Sequence, residues 1–212
     1  MSKTVTFYYV RHGETRFNLR GRVQGVCDSP LTAKGIHDAE RARDALKNID
    51  LKRAFSSPAS RASDTAEIII SAHPGLQVEI IKDLHEFDYG SFEGELHHSP
   101  EMLKEFDARR ESRDYTDVGG ETLEKVEKRI DGAFAEMIER CEDGDHILVV
   151  SHGTYCQRII NHLFHFDYHT LPAYKEGRDV VPNGGIMTFR STDGEWELLH
   201  LPQEPEEFGK KD

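Results

Sequence analysis

The chain has 212 residues, 37% hydrophobic and 31% charged, with 39 acidic against 27 basic residues and a net charge of −12. That composition fits a globular chain with a sizeable core and excludes a disordered one. So acidic a surface argues against nonspecific binding to nucleic acid or anionic membrane, and an anionic ligand would need positive charge gathered locally in a pocket. The longest apolar runs, Phe7 to Val10 and Ile147 to Val150, are far too short to span a bilayer, and no signal-peptide pattern opens the sequence. The three cysteines, Cys27, Cys141 and Cys156, are widely spaced and suit reduced thiols, so the expected location is cytoplasmic.

In chain order, the apolar run Val5 to Val10 reads as a strand that ends in Arg11-His12-Gly13-Glu14-Thr15. A polar loop follows from Thr15 to Leu31. Thr32 then caps a helix with Ile36, Ala39, Ala42 and Leu46 along one face. Lys52 to Ser56 is a short strand, and the next helix takes Ser60 as its cap and turns Ala62, Ala66, Ile69 and Ile70 inward. Val78 to Ile81 reads as an edge strand. From Glu86 to Glu121 the pattern loosens around a polar helix that starts near Ser99-Pro100, where proline suits a first turn.

Leu123, Val126, Ile130, Phe134, Met137 and Cys141 form the apolar stripe of the clearest helix. A strand at His146 to Val150 runs into Ser151-His152-Gly153-Thr154 and a helix to about Phe164, and Asp193-Gly194 marks a hairpin between Ile186–Arg190 and Glu195–Leu199. The tail from Pro202 to Asp212 is expected to fray. Alternation of strand and helix predicts an α/β fold, a three-layer α/β/α sandwich. Its central sheet would be mainly parallel, with helices on both faces. The expected organisation is one domain, residues 1–212, with a small cap insertion at about 92–118.

Two strand-end histidines, His12 and His152, each followed by glycine, imply one shared pocket at the carboxyl edge of the sheet. Arg61 falls at the start of a helix just after a strand, where its fork of donors joins the positive helix end. Glu86 lies at a strand exit beside aromatics. Together Arg11, His12, Arg61, Glu86 and His152 supply the parts of a metal-free phosphoryl transfer. A neutral imidazole attacks phosphorus, two guanidiniums and a second imidazolium hold the equatorial oxygens, and a carboxylic acid protonates the leaving oxygen.

These motifs resemble the phosphoglycerate mutase-like histidine phosphatase superfamily. The likeness runs from about residue 5 to 160. It covers Arg11 to Thr15 with Asn18, Gly21 to Gly25, Asp28 to Thr32, Ser56 to Pro58 with Arg61-Ala62 and Thr65-Ala66, Leu84 to Glu86 through Tyr89-Gly90 with Glu93-Gly94, Gly119 to Thr122, and Ser151 to Gly153. The resemblance implies that His12 becomes a phosphohistidine, that Arg11, Arg61 and His152 bind the phosphoryl group, and that Glu86 serves first as acid and then as base. It also implies Asn18, Gln24, Gly25, Tyr89 and Gly153 as substrate-binding residues. No metal and no other cofactor is implied, and the partner is a small phosphorylated metabolite rather than nucleic acid or membrane.

Three activities fit this pattern: a phosphatase acting on small phosphomonoesters, a mutase, and a regulatory module without turnover. No core residue is missing, which disfavours the last. Only 65 residues separate Glu86 from His152, and the segment is rich in acids from Glu95 to Asp117, which favours a phosphatase over a mutase. The sequence fixes neither the substrate nor the oligomeric state. The spacing of His162, His165 and His169 would align a metal site only if a helix ran through them, and surface placement is the expectation. Arg109, Arg110 and Arg113 form a basic cluster whose expected role is a charged helix face paired with Glu105 or Glu111, recognition of a second anion being the alternative.

Overall fold

A computed structural model describes residues 2–109 and 111–210. In chain order it contains β1 (Thr4–Arg11), α1 (Arg16–Leu19), α2 (Ala33–Leu46), β2 (Leu51–Ser56), α3 (Ser60–Ile70), β3 (Val78–Ile80) and α4 (Pro100–Ala108). These are followed by α5 (Leu123–Arg140), β4 (Asp145–Ser151), α6 (Gly153–Phe164), α7 (Pro172–Lys175), β5 (Ile186–Thr192) and β6 (Glu195–Gln203). The strands form one six-stranded sheet in the order β3-β2-β4-β1-β5-β6. β1, β2, β3 and β4 pair in parallel, and the β5–β6 hairpin closes one side antiparallel.

Strand alternation divides the core into two layers. Val5, Phe7 and Tyr9 of β1 face α5 and α6, joining Val126, Ile130, Phe134 and Ile159. Tyr8 and Val10 face the other way, onto Ala42 and Leu46 of α2 and Ala66 and Ile69 of α3. The stripe on α5 is buried as its spacing predicts, and Thr122 caps the helix through the Lys125 N–H. Ser99 caps α4, with proline in its first turn.

Several local expectations are corrected. The polar loop after β1 contains α1, whose Thr15 and Asn18 form a reciprocal capping box. Ile36 is not on the buried face of α2 but 46% exposed. The helix is turned by Gly35, which packs so tightly on the backbone of Gly13 and Glu14 that a side-chain carbon at either glycine would collide with the opposing carbonyl. The N-cap of α3 is Ala59 rather than Ser60, without a side-chain bond. The carboxylate of Asp28 substitutes from the preceding loop by accepting from the Ser60 N–H. α6 ends at Phe164, and His165 takes a left-handed conformation, so the three histidines do not share a helix face. His162 bonds Asp131 and His169 bonds Asp167 instead.

The tail is docked rather than frayed over most of its length. Phe208 packs on the α2–α3 side against Tyr8, and Arg41 pairs with both Glu204 and Glu206. Truncation after Gln203 should therefore lower stability in urea unfolding by about 1–3 kcal/mol, most of it from the aromatic ring. An unchanged midpoint would mean that the docking contributes nothing.

Candidate active site

Parallel pairing sets Arg11 beside Ser151, so the residues after β1 and β4 emerge together. The His12 N–H donates to the Ser151 carbonyl, 3.0 Å away. The two imidazoles lie with centroids 5.3 Å apart. Beneath them α3 starts from the end of β2 and sends Arg61 between the rings.

The hydrogen bonds assign both tautomers. His12 Nδ1 lies 2.8 Å from the Gly13 carbonyl, which can only accept, so Nδ1 carries the proton. Nε2 receives the Arg61 Nε–H at 3.3 Å, so its lone pair faces the guanidinium. On His152, Nδ1 accepts from Arg61 at 3.1 Å, and Nε2 donates to the Ser57 hydroxyl at 2.7 Å. Burial first, and then the Arg61 charge, hold both imidazoles well below their ordinary value of 6.5; Arg11 adds to the effect on His12. The same influences disfavour a charged His152, so the second imidazolium expected from sequence needs negative charge brought beside it.

Arg61 has no exposed surface. Its five N–H groups go to His12 Nε2, the Gly25 and Cys27 carbonyls, Asp28 Oδ1 and His152 Nδ1. None is left over for a ligand. Gly25, expected to contact substrate, instead lies behind this guanidinium and supplies its carbonyl at 2.7 Å. A side chain at residue 25 would strike Glu93 and the Phe87 carbonyl, so only glycine fits there.

Glu86 is buried across the site. Its carboxylate accepts from the Phe87, Thr154 and Tyr155 N–H groups at 2.8 to 2.9 Å, the last two from the first turn of α6. Burial raises its pKa from 4.5, although these N–H groups and Arg61 pull the other way. Arg129, buried on α5, holds the chain that carries Glu86 by donating to the Asp83, His85 and Glu86 carbonyls while pairing with Glu121.

Above these groups opens a cavity of about 900 Å³ lined by Arg11, His12, Asn18, Gln24, Glu86, Tyr89 and Gly153, among others. Asn18 spends its carbonyl on the Thr15 N–H. The Gln24 carbonyl accepts from the Thr15 hydroxyl, while its Nε2 is buried with no partner and remains a free donor. The Tyr89 hydroxyl meets Thr154 Oγ1 at 3.0 Å. Gly153 opens α6, where backbone N–H groups have no partner within the helix, and the Arg11 guanidinium rests directly on it. His152 and Arg61 lie behind the cavity wall rather than on it.

Sequence reasoning missed several participants. Asp179 pairs with Arg11 at 2.8 Å, and the Val181 carbonyl accepts from the same nitrogen. Both belong to the segment between α7 and β5, where no motif signals a role. Ser57 and Asp28 stand inside recognisable blocks, yet their partners emerge only in three dimensions. Thr65 accepts from the Gly13 N–H, and Asn183 donates to the His12 carbonyl. The basic cluster divides: Arg109 pairs with Glu105 and Asp117 beneath Phe92 and Tyr115, Arg113 lines the cavity, and Arg110 lies outside the described residues. His97, in the loose segment after Glu86, also lines the cavity. Among the described residues no group of three or more His, Cys, Asp and Glu could hold a metal ion.

A neutral strand-end imidazole among arginines, with a carboxyl across the same cavity, defines a class: enzymes that work on phosphoryl groups. Residues 7–203 match the family described as "Histidine phosphatase superfamily (branch 1)", and the chain belongs to that superfamily. It is 31% identical over 194 residues to a Salmonella paratyphi A protein named "Probable phosphoglycerate mutase GpmB", covering 89% of this chain and 86% of that one. The fold superposes on phosphoglycerate mutase from Bacillus anthracis with a TM-score of 0.78 and 29% identity, over 94% of this chain and 93% of the other. A phosphoserine phosphatase mutant from Entamoeba histolytica, solved with phosphoserine, gives 0.76 and 25% over 94% and 98%.

The Arg11–Asp179 pair is half in water, since Asp179 is 69% exposed. Asp179→Asn should release Arg11 and tighten competitive inhibition by inorganic phosphate about two- to fivefold, the range of an exposed pair. Weaker inhibition would show that Asp179 orients Arg11 rather than competing for it.

Proposed function

We propose that the protein is a metal-independent phosphatase of small phosphomonoesters that works through a phosphohistidine on His12. The observation that carries this reading is the His12 tautomer: Nδ1–H is held by the Gly13 carbonyl, and the Nε2 lone pair is kept unprotonated by burial and two arginines. Attack on phosphorus consumes that lone pair. The Arg61 Nε–H then loses its acceptor and turns to the arriving phosphoryl oxygen, which resolves how a fully bonded guanidinium can bind phosphate.

Arg11, the Gln24 amide and the Gly153 N–H supply the remaining donors, with Asn18 and Tyr89 beside them. Once negative charge has entered the site, His152 can take a proton on Nδ1, which frees the Arg61 N–H that Nδ1 had accepted and adds a positive charge behind the phosphoryl group. The same negative charge raises the pKa of Glu86 further, into the protonated form that a departing alkoxide needs. After departure the carboxylate serves as base for water. The residues form one domain with a cap insertion at about 92–118, and reduced Cys27, Cys141 and Cys156 suit a cytoplasmic setting.

A mutase reading is favoured by the names of the Salmonella and Bacillus relatives. Against it stands a cavity wide enough to admit water to the intermediate. His12→Ala should abolish both turnover and the acid-labile, base-stable label left by a radioactive phosphomonoester. A label that survives the substitution would remove His12 as nucleophile. Assays in EDTA that follow phosphate release alongside 3-phosphoglycerate isomerisation separate the two readings.

Glu86→Gln should lower kcat/KM, which reads the phosphorylation step, by about 10²–10⁴-fold for alkyl phosphates. It should spare that of an activated aryl phosphate, whose leaving group needs no proton, while kcat for both falls through the shared loss of the base for water. Equal losses of kcat/KM on both would dismiss Glu86 as the acid.

A further inference from the structure

The cavity is far larger than a three-carbon phosphate requires. Its volume of about 900 Å³ approaches the upper end of the roughly 300–1,000 Å³ typical of pockets that bury drug-sized ligands. Its walls are also aromatic. Tyr89, beside the Glu86 end, meets the Phe106 ring edge-on at 5.8 Å, and His97 lies across Phe106 at 5.0 Å and 35°. These three rings make a continuous wall that runs outward from the reacting groups.

Leu103 is 49% exposed and Tyr174 is 42% exposed, and both line the same cavity. A single exposed apolar side chain means little. Two lining one cavity, with an aromatic wall beside them, make an apolar patch in a lining that also carries Asp107, Gln157 and Arg178. Two of the lining arginines are paired within the chain, Arg178 with Glu176 and Arg11 with Asp179. Arg22, which donates to the Gly94 carbonyl, and Arg113 also line the cavity and would favour a small diacid, so the case for a larger substrate rests on the cavity's size and its aromatic wall.

We infer that the leaving alcohol of the substrate carries a planar ring system, so that the enzyme acts on bulky ring-bearing phosphomonoesters rather than three-carbon ones. This rests on the phosphatase reading above. The phosphoryl group lies against His12 and Arg11, and the ring lies along Phe106 and His97 with Leu103 and Tyr174 closing over it. Stacking and edge contacts with such rings supply binding energy remote from phosphorus.

The test compares kcat/KM for esters whose leaving groups are all primary alkoxides, so that the chemistry is matched: riboflavin 5′-phosphate, pyridoxal 5′-phosphate and adenosine 5′-monophosphate against glycerol 3-phosphate, phosphoserine and 3-phosphoglycerate. The best ring-bearing ester should exceed the best small one by about 10–200-fold. Leu103→Ala and Tyr174→Ala should each cut it by about fivefold or more while leaving glycerol 3-phosphate within about twofold. A small ester equal to or better than the ring-bearing ones, or equal losses in both groups, overturns the inference and leaves the phosphatase reading standing. No hydrolysis of any ester would overturn the phosphatase reading and the inference with it.

Discussion

The guanidinium of Arg61 is a full positive charge with no exposed surface, bonded at once to both histidines, two backbone carbonyls and Asp28. A buried charge is tolerable only when its donors are all taken, and loss of one partner in such a network costs about 3–5 kcal/mol. Each bond also performs a second task. The bonds to His12 and His152 choose their tautomers, and burial, with this charge second, disfavours protonation of both rings. The bonds to Gly25, Cys27 and Asp28 pull the loop after α1 against the start of α3. Lysine could not do this, because a point charge with three donors cannot serve five acceptors set around a plane.

The geometry that brings these partners together is a consequence of the sheet. β1 and β4 are far apart in sequence yet adjacent and parallel, so their carboxyl ends deliver His12 and His152 side by side. β2 lies on the other side of β4 and hands the chain to α3, which starts with Arg61 at its second residue. Alternate residues of β1 pack on opposite layers, so a slip of one residue in register would expose Phe7 and Tyr9 to the wrong side as well as displacing His12. Core packing and site geometry thus depend on the same register.

The layer architecture, nearly every element and the five charged or imidazole groups were legible from the sequence, because strand alternation, helix stripes and capping residues are local signals. Thr32, Ser99 and Asp193-Gly194 act as their types predict. What was not legible depends on contacts distant in sequence. Ile36 has the right spacing for the α2 stripe, but Gly35 must meet the Gly13 turn, and that contact sets the helix rotation. Ser60 looks like a cap, but the helix starts one residue earlier and Asp28 accepts from the Ser60 N–H out of the preceding loop. The charged tail reads as frayed, yet Arg41 meets Glu204 and Glu206 and Tyr8 meets Phe208. Gly25 was legible as part of the site, but its task is to accept from Arg61 rather than to face the cavity.

Glu86 is held by opposing influences. Its carboxylate stabilises the first turn of α6, where N–H groups and the helix dipole favour the anion, while burial favours the acid. These influences oppose one another, so a modest new charge can decide between them. In the proposed reaction a phosphate dianion arriving between Arg11 and the start of α6 would be such a charge, acting on Glu86 and His152 in the same direction and drawing protons to both. On that reading the substrate sets the protonation state in which it reacts. An enzyme whose overall charge is −12 can confine that response to one place, because the groups able to hold the dianion, two arginines and backbone N–H donors, are gathered at the end of β1 and the starts of α3 and α6.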